Sequence, residues 1–293
     1  MRLQGVIPPT VTPFKPNGDL DLKLVKGQVD WLIAQGAHGL ACAGSTGEGH
    51  AIDAEEHRDI VAATVDAAGG RVPIIAGIIA DSTREAIKRG RMIKSPEVEA
   101  LQVTPVHYLF RPHDEAMVAH FQALTEETGR PVIIYNVVPW CYLSPALLLR
   151  IFREVPGVIG VKQSAGDLKL LADLLVGADA KSLIFSAVDA LLYPSYVLGA
   201  HGSIAAILTA APRACVDVWD AVKAGDHPRA LDLHQRLLGL WNAIQGDNLP
   251  ACVRYAQQLQ GVAPGVPRAP MPTPSDEQQR RIREALGHLV PAR

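Results

Sequence analysis

The chain has 293 residues, of which 48 % are hydrophobic and 20 % are charged, and its formal net charge is −2. This balance is typical of a globular protein with a large core, and it excludes a disordered or coiled-coil chain. Because there is no basic stripe, no nucleic-acid-binding or polybasic membrane-binding surface is expected. Length alone suggests roughly two domains of about 150 residues each, although α/β barrels commonly reach about 250 residues as one unit.

Metal-binding, disulfide-rich and membrane-inserted classes are also not indicated. The nearest two of the four cysteines, Cys215 and Cys252, are 37 residues apart, so the sequence has no CxxC or zinc-ribbon spacing. The N-terminal segment lacks the basic flank and apolar run of a signal peptide. No window of about 18 apolar residues could form a membrane span. We therefore expect a reduced, soluble, cytoplasmic protein.

Eight short apolar runs alternate with helical patterns along the first two thirds of the chain. They are rich in Val and Ile and often continuous, which is typical of strands buried on both faces. The predicted strands are 5–8, 39–43, 72–78, 100–106, 132–137, 158–161, 183–188 and 203–207.

Start signals for helices stand between these runs. The Asn-Gly pair at 17–18 predicts a turn before a helix that begins near residue 21. The sequence STRE at 82–85 predicts a capping box, in which the serine hydroxyl caps the N3 amide and the glutamate reaches back. A serine followed by a proline at 144–145 predicts a capped helix with Pro in its first position.

Strands that alternate with helices indicate parallel βα units. Two topologies compete, a closed (β/α)₈ barrel and an open doubly wound sheet. The count of eight favours the barrel, and no GxGxxG follows a strand, which removes the main signature of the open sheet. We therefore predict an α/β fold, a (β/α)₈ TIM barrel.

The strand signals stop near residue 226. The stretches 227–244, 248–259 and 275–289 read as helices, and a Pro-rich segment at 262–274 joins the last two. We predict a catalytic barrel over residues 1–225 and a C-terminal helical appendage over residues 226–293.

Chemistry in such a barrel collects at the C-terminal ends of the strands. Lys162 directly follows the predicted strand 158–161. An amine drawn into the barrel interior loses hydration, which lowers its pKa and leaves a neutral nucleophile that can form a Schiff base with a ketone. The alternative is a lysine at a strand tip whose ammonium reaches solvent.

Two further strand ends carry polar groups. Tyr135 ends the fifth run, where its phenol could exchange protons with a substrate, or could be a core tyrosine with a bonded hydroxyl. The loop 44–48 (GSTGE) follows the second run and opens a helix. Its glycines, amides and hydroxyls suit a carboxylate or phosphate, or form an ordinary βα turn. It lacks the GxxxxGK[ST] pattern of a nucleotide P-loop.

The ten histidines form no HExxH or HxH pair, so no metal site is expected. His107, beside Tyr108, is the only histidine at a strand end of interest.

Taken together, these segments resemble the dihydrodipicolinate synthase / N-acetylneuraminate lyase family of pyruvate-dependent class I aldolases. The resemblance covers nearly the whole chain, and the set of motifs in this order and spacing is highly specific. The matching segments are GV at 5–6 with TPF at 12–14, GSTGE at 44–48, YN at 135–136, GVKQS at 160–164 with GD at 166–167, GAHGSI at 199–204 and PRAP at 267–270.

The resemblance implies a (β/α)₈ barrel with a C-terminal helical bundle, assembled as a homotetramer. It implies that Lys162 forms the Schiff base with pyruvate or another 2-oxo acid and that Tyr135 is the acid/base. Ser45 and Thr46, in the loop with Gly44, would hold the carboxylate of the 2-oxo acid. No cofactor is expected, because a lysine imine needs no metal.

Other roles follow from the same resemblance. Thr46 would also relay protons to Tyr135, and Tyr108 would be a third relay member, lent across a subunit interface. His107 is the alternative to Tyr108, depending on how the loop 106–110 aligns. Ile204 would pack against the pyruvyl methyl group.

The chain departs from its relatives where the second substrate binds. Lysine-pathway synthases have an arginine after the Tyr-Asn-x-Pro turn, whereas YNVVPWCY at 135–142 has one extra residue and no arginine before Arg150. Sialic-acid lyases have adjacent acids after the seventh strand, but here Asp189 precedes an alanine. These departures argue against aspartate semialdehyde and N-acetylneuraminate. Trp140 and Tyr142 suggest an aromatic pocket wall, or packing at the barrel rim.

The expected activity is therefore that of a lyase that performs aldol cleavage or condensation through a lysine imine. Dehydration of a 2-keto-3-deoxy sugar acid through the same imine is the alternative. A non-catalytic ligand-binding protein on the same barrel and a metal-dependent lyase are two further hypotheses. The first would bind ligand without imine formation, and the second would lose activity with a chelator.

Overall fold

The computed structural model describes residues 3–289 and contains eight parallel strands, each followed by helical structure. The strands are β1 (Gly5–Val6), β2 (Leu40–Cys42), β3 (Ile74–Ile78), β4 (Val98–Val103), β5 (Val132–Asn136), β6 (Val158–Gln163), β7 (Leu183–Ser186) and β8 (Gly202–Ser203).

The α-helices surround this sheet and continue beyond it. They are α1 (Val25–Ala34), α2 (Ala54–Ala68), α3 (Thr83–Met92), α4 (Asp114–Thr128), α5 (Pro145–Glu154), α6 (Leu168–Gly177), α7 (Leu192–Val197), α8 (Ile207–Ala210), α9 (Pro212–Lys223), α10 (His227–Ile244), α11 (Leu249–Leu259) and α12 (Asp276–Gly287). Four 3-10 helices lie at Leu22–Leu24, Gly49–Ala51, Pro139–Cys141 and Asp189–Leu191.

The sheet order is β1-β8-β7-β6-β5-β4-β3-β2, with every pair parallel. A parallel bridge between Pro9 and Ala41 joins the two ends of this order. Its hydrogen bonds run from Thr10 N to Ala41 O at 2.7 Å and from Ala41 N to Pro8 O at 3.0 Å. The predicted (β/α)₈ barrel and all eight of its strands are confirmed.

Strand ends differ from the prediction at two places that matter for the site. β6 continues to Gln163, so Lys162 lies inside the strand rather than after it, because it pairs with Tyr135 on one side and Phe185 on the other. β8 stops at Ser203 instead of continuing to residue 207. The carboxylate of Asp189 accepts a hydrogen bond from Ile207 N at 2.7 Å, and α8 starts there.

Two predicted helix starts also differ. The loop 44–48 leads into the 3-10 helix Gly49–Ala51, and α2 begins only at Ala54, where Asp53 and Glu56 form a capping box. At α3 only one of the two hydrogen bonds of the predicted capping box forms. Ser82 accepts from Glu85 N at 3.2 Å, whereas the Glu85 carboxylate bonds to Arg89 at 3.1 Å instead of reaching back.

The core is layered as a barrel requires. Eight buried residues inside the barrel form one cluster, and a large second cluster lies between the sheet and helices α1–α6. A third cluster joins α7–α9 to α10–α12 and includes Val6 and Val11 from the barrel's first segment. The predicted division at residue 225 stays a prediction. Within residues 3–289, no helix combines the length and apolarity needed to cross a membrane.

Candidate active site

A cavity of about 390 Å³ opens at the C-terminal ends of the strands. That is the end of a barrel where loops from different strands bring polar groups together. Most of the residues singled out in the sequence line it, namely Ser45, Thr46, Tyr135, Lys162, Asp189 and Ile204.

Lys162 and Tyr135 are neighbours at the floor of the cavity. They are register partners on β6 and β5, and Lys162 Nζ lies 3.6 Å from the centroid of the Tyr135 ring. Lys162 is only 3 % exposed. Burial lowers its pKa to about 7, although the nearby Asp189 carboxylate acts in the opposite direction. Near neutral pH a large share of this amine is therefore uncharged and nucleophilic.

The Tyr135 phenol is held in its protonated form. Burial raises its pKa to about 12, and a hydrogen bond with Ser45 only partly opposes this, while the charge of Asp189 adds to it. Tyr135 can therefore donate a proton at neutral pH and take one back. The predicted relay from Thr46 to Tyr135 stays a prediction, and the hydrogen-bond partner of the phenol in the structure is Ser45.

The loop 44–48 is folded tightly under the cavity. Gly49 N donates to Gly44 O at 2.9 Å, and Glu48 N donates to Ser45 O at 3.0 Å. A Cβ at Gly49 would lie 2.0 Å from Ala43 O, so only glycine fits there. Gly44 is not among the lining residues, and a Cβ on Gly77 would come within 2.7 Å of its nitrogen. The loop is thus pressed against β3, and it presents Ser45 and Thr46 to the cavity.

An ion pair that the sequence reading missed fixes this loop. Glu48 is buried and adopts a left-handed φ of 53°. Its Oε1 accepts from Nη2 of the buried Arg254 at 2.5 Å, and Oε2 accepts from Arg268 N at 3.0 Å. The same Arg254 Nη2 donates to Thr12 O at 2.5 Å, and the Thr12 hydroxyl donates to Gly47 O at 2.6 Å. The sequence contains one signal that could have identified Arg254, because it is the only charged residue of α11.

A gain in folding stability does not explain the Glu48–Arg254 ion pair. Burial raises the pKa of the Glu48 carboxyl and lowers the pKa of Arg254 to about 10, even though each group faces the opposite charge. Loss of hydration therefore outweighs their attraction, which is common for buried ion pairs. Its structural effect is to tie α11 to the loop that carries Ser45 and Thr46.

Asp189 and Ile204 complete the barrel side of the cavity. Burial raises the pKa of the Asp189 carboxyl to about 6, whereas hydrogen bonds from backbone amides, that of Ile207 first, and the charge of Lys162 lower it. Asp189 therefore titrates close to the pH range in which Lys162 does. Ile204 is fully buried beneath the cavity.

Tyr108 and His107 lie outside this cavity. Tyr108 is 63 % exposed, and it is followed by Leu109, which is exposed and has a left-handed φ of 65°. His107 Nδ1 is 2.9 Å from Pro105 O, and the His107 carbonyl accepts from Trp140 Nε1 at 3.0 Å. The structure of one chain does not bring either residue to Lys162. The expectation that Tyr108 acts across a subunit interface stays a prediction.

Of the two alternatives for Trp140 and Tyr142, the structure favours the barrel rim, because neither residue lines the cavity. Trp140 is 67 % exposed at the rim, and the Tyr142 hydroxyl donates to Ser164 O at 3.4 Å outside the cavity lining. Besides Tyr135, the described lining contains the aromatic side chain of Trp241, on α10. No local pattern pointed to it, because it lies on a helix that the sequence predicts as an appendage. Among residues 3–289, no three His, Cys, Asp or Glu side chains are grouped to hold a metal ion.

Comparison with known proteins gives concordant matches over nearly the whole length. The model of the dihydrodipicolinate synthetase family matches residues 2–289. The chain is 33 % identical over 288 residues to a 4-hydroxy-tetrahydrodipicolinate synthase of Ralstonia nicotianae, with 97 % of each chain covered.

Two solved structures are similar over nearly their full lengths. The dihydrodipicolinate synthase of Aquifex aeolicus has a TM-score of 0.91 and 26 % identity, with 98 % of each chain covered. A prophage protein of the dihydrodipicolinic acid synthase family from E. coli K12, solved in complex with pyruvate, has a TM-score of 0.93 and 24 % identity, with 99 % of each chain covered.

Proposed function

Because the chain belongs to the dihydrodipicolinate synthetase family, whose members are pyruvate-dependent lyases that form a Schiff base, we propose that it performs aldol cleavage and condensation through an imine on Lys162. Pyruvate or another 2-oxo acid is the imine partner. The observation that carries this proposal is the buried amine of Lys162, with a pKa of about 7, 3.6 Å from the Tyr135 ring.

The proposed reaction uses Tyr135 as the proton carrier. The neutral amine attacks C2 of the 2-oxo acid, and Tyr135 protonates the carbinolamine hydroxyl, which leaves as water. The resulting tyrosinate removes a proton from C3, so the C–H electron pair forms an enamine. C3 of the enamine attacks the aldehyde carbon, and Tyr135 protonates the new alkoxide. Water then adds to C2, returns a proton to Tyr135 and releases the product and the free amine. Cleavage is the reverse sequence.

Ser45 and Thr46 are the proposed carboxylate ligands. Both line the cavity with Lys162, and the short turn they occupy is fixed by the Glu48–Arg254 pair. Because the Tyr135 phenol bonds to Ser45, we assign Ser45 the proton exchange with solvent as well. Tyr108 is kept as a proposed relay residue that a second chain would supply.

The reaction named for the relatives is not carried over in full. No arginine stands among the residues lining the cavity, within the part of the chain that the structure describes. The segment 135–142 has no arginine either. A carboxylated aldehyde would therefore lack the bidentate partner that arginine provides.

A dehydratase that uses the same imine is the second candidate. The observation that favours it is Asp189, which lines the cavity and whose carboxyl, with a pKa of about 6, could supply the proton for a departing hydroxyl. The two reactions are separated by their products. Cleavage of a 2-keto-3-deoxy acid releases pyruvate and an aldehyde, whereas dehydration releases water and leaves the carbon chain intact.

The central test is reductive trapping. Incubation with pyruvate and borohydride should add a stable mass to Lys162, identified by peptide mapping, and Lys162→Ala should abolish both the adduct and turnover. Lys169→Ala is the matched control, since Lys169 is exposed on α6 and pairs with Asp173. An unmodified Lys162 after trapping with a panel of 2-oxo acids would refute the imine and favour a non-catalytic ligand-binding role.

A further inference from the structure

The cavity has one wall that does not come from the barrel strands or their loops. This wall consists of Trp241 on α10 and of Leu249 and Pro250 at the start of α11. None of these three residues has a role in the reaction proposed above. α10 packs against the 3-10 helix Asp189–Leu191, which places this wall beside the Asp189 carboxyl. Trp241 and Leu249 are half-buried and continue into the third hydrophobic cluster, so the wall is anchored by packing.

The charges in the cavity are unsuited to a second anionic group. Among the described lining residues, Lys162 is the only basic side chain and Asp189 the only acidic one. Once Lys162 is joined to the 2-oxo acid, its nitrogen belongs to that adduct. A carboxylate on the second substrate would then meet Asp189 and an apolar wall, and an unpaired charge in such a place is strongly disfavoured.

One polar group in the cavity is left without a partner. Ser164 follows β6 and lines the cavity, and its Oγ is buried with no hydrogen bond, while its carbonyl accepts from Tyr142. A buried hydroxyl of this kind is normally bonded to a ligand or an ordered water. The second substrate can therefore meet one hydroxyl from Ser164 and an apolar surface from the C-terminal helices.

We propose that the aldehyde partner is uncharged, lays an apolar or aromatic face on Trp241 and makes one hydrogen bond to Ser164. Trp241 is then the specificity-determining residue for the second substrate. The proposal rests on the aldolase function proposed above, which it extends from the 2-oxo acid to its partner. An indole beside two aliphatic side chains suits a flat, apolar body better than a polyol, whose several hydroxyls would lose their hydration without replacement.

The first experiment uses the unaltered protein. Condensation of pyruvate is measured with benzaldehyde, with glyceraldehyde and with succinic semialdehyde, as uncharged aromatic, polyhydroxy and carboxylated probes. We expect kcat/KM for benzaldehyde to exceed both others by at least about 10-fold, the scale on which an apolar pocket discriminates. A preference for succinic semialdehyde or glyceraldehyde overturns the proposal.

The second experiment assigns the preference to Trp241. Trp241→Ala should lower kcat/KM for benzaldehyde by about 10- to 100-fold, Trp241→Phe should retain most of it, and borohydride trapping of pyruvate should be unchanged in both. Trp31→Ala is the control, because Trp31 is also half-buried but lies on α1 and packs against the second hydrophobic cluster, outside the cavity. An unchanged preference in Trp241→Ala overturns the assignment. Absence of any pyruvate adduct in the unaltered protein would instead overturn the proposed function itself.

Discussion

Removing the buried amine should make the protein more stable. Lys162→Met keeps an unbranched side chain of similar length but cannot carry a charge. Lys162 is almost completely buried, and its pKa falls from 10.5 to about 7 in the folded protein. Below pH 7 the folded protein must therefore hold an ammonium where it is poorly hydrated. The unfolded chain holds the same ammonium in water, so the charge favours unfolding.

The size of this effect follows from the two pKa values. Each factor of ten in proton affinity is worth about 1.4 kcal/mol, so the drop from 10.5 to about 7 corresponds to a destabilisation on the order of 4–5 kcal/mol at pH 7 and below. Between pH 7 and pH 10.5 the unfolded state binds more protons than the folded state. The stability of the unaltered protein must therefore rise with pH across that window.

Urea unfolding at pH 7 and pH 10 measures both parts of the prediction. Lys162→Met should be more stable by roughly 4 kcal/mol at pH 7, and the difference should shrink to about 1 kcal/mol at pH 10. The same substitution at Lys169, whose side chain is 74 % exposed beside Asp173, should change the free energy of unfolding by less than about 1 kcal/mol at both pH values. A Lys162→Met difference that is independent of pH, or a loss of stability at pH 7, would refute the assignment of a buried, low-pKa amine.

Four further variants test the rest of the site. Tyr135→Phe should lower kcat for pyruvate release by about 10²–10⁴-fold, because the phenol carries each proton of the proposed reaction; a smaller loss would mean that another group supplies them. Thr46→Val keeps the shape but removes the hydroxyl, so KM for the 2-oxo acid should rise by about 10-fold or more with little change in kcat, and an unchanged KM would exclude Thr46 as a carboxylate ligand. Glu48→Gln leaves the buried Arg254 without its counter-charge and should destabilise the protein by about 3–5 kcal/mol, seen as a melting temperature lower by roughly 10 °C. Because the pair fixes the loop of Ser45 and Thr46, Glu48→Gln should also raise KM for the 2-oxo acid. Glu48→Leu combined with Arg254→Met should recover the stability but not KM, and recovery of both would show that the pair has no positioning role.

The strands and the reactive pair could be predicted because their signals are local. Buried parallel strands are short apolar runs, and eight such runs were visible as a set. Lys162 and Tyr135 each stand at the end of one run, and parallel strands in register bring their ends to the same rim. The predicted strand ends were less accurate. β6 includes Lys162 and Gln163 because both residues pair with the two neighbouring strands, and the apolar pattern of the sequence does not indicate this pairing.

The remaining parts of the site depend on contacts between distant segments. Arg254 and Glu48 are 206 residues apart in sequence, and the single charge of α11 indicates a buried partner without naming it. Trp241 reaches the cavity only because α10 packs on the turn that carries Asp189. Trp140 follows the segment that carries Tyr135, which left both the pocket wall and the barrel rim open, and the 3-10 helix Pro139–Cys141 places it at the surface.

The C-terminal helices are therefore part of the site rather than a support for it. Arg254 holds the loop that presents Ser45 and Thr46, and it does so through a residue, Glu48, whose left-handed backbone costs on the order of 1 kcal/mol or more and needs fixed surroundings. The same helix begins with Leu249 and Pro250 in the cavity wall. Since the ion pair gains less from attraction than it loses in hydration, the role we assign to it is the geometry that it imposes on the loop. A fragment ending at residue 225 would keep Lys162 and every barrel strand. It would lose the anchor of the loop 44–48 and one wall of the cavity, so we expect that an intact barrel alone would not preserve the proposed activity.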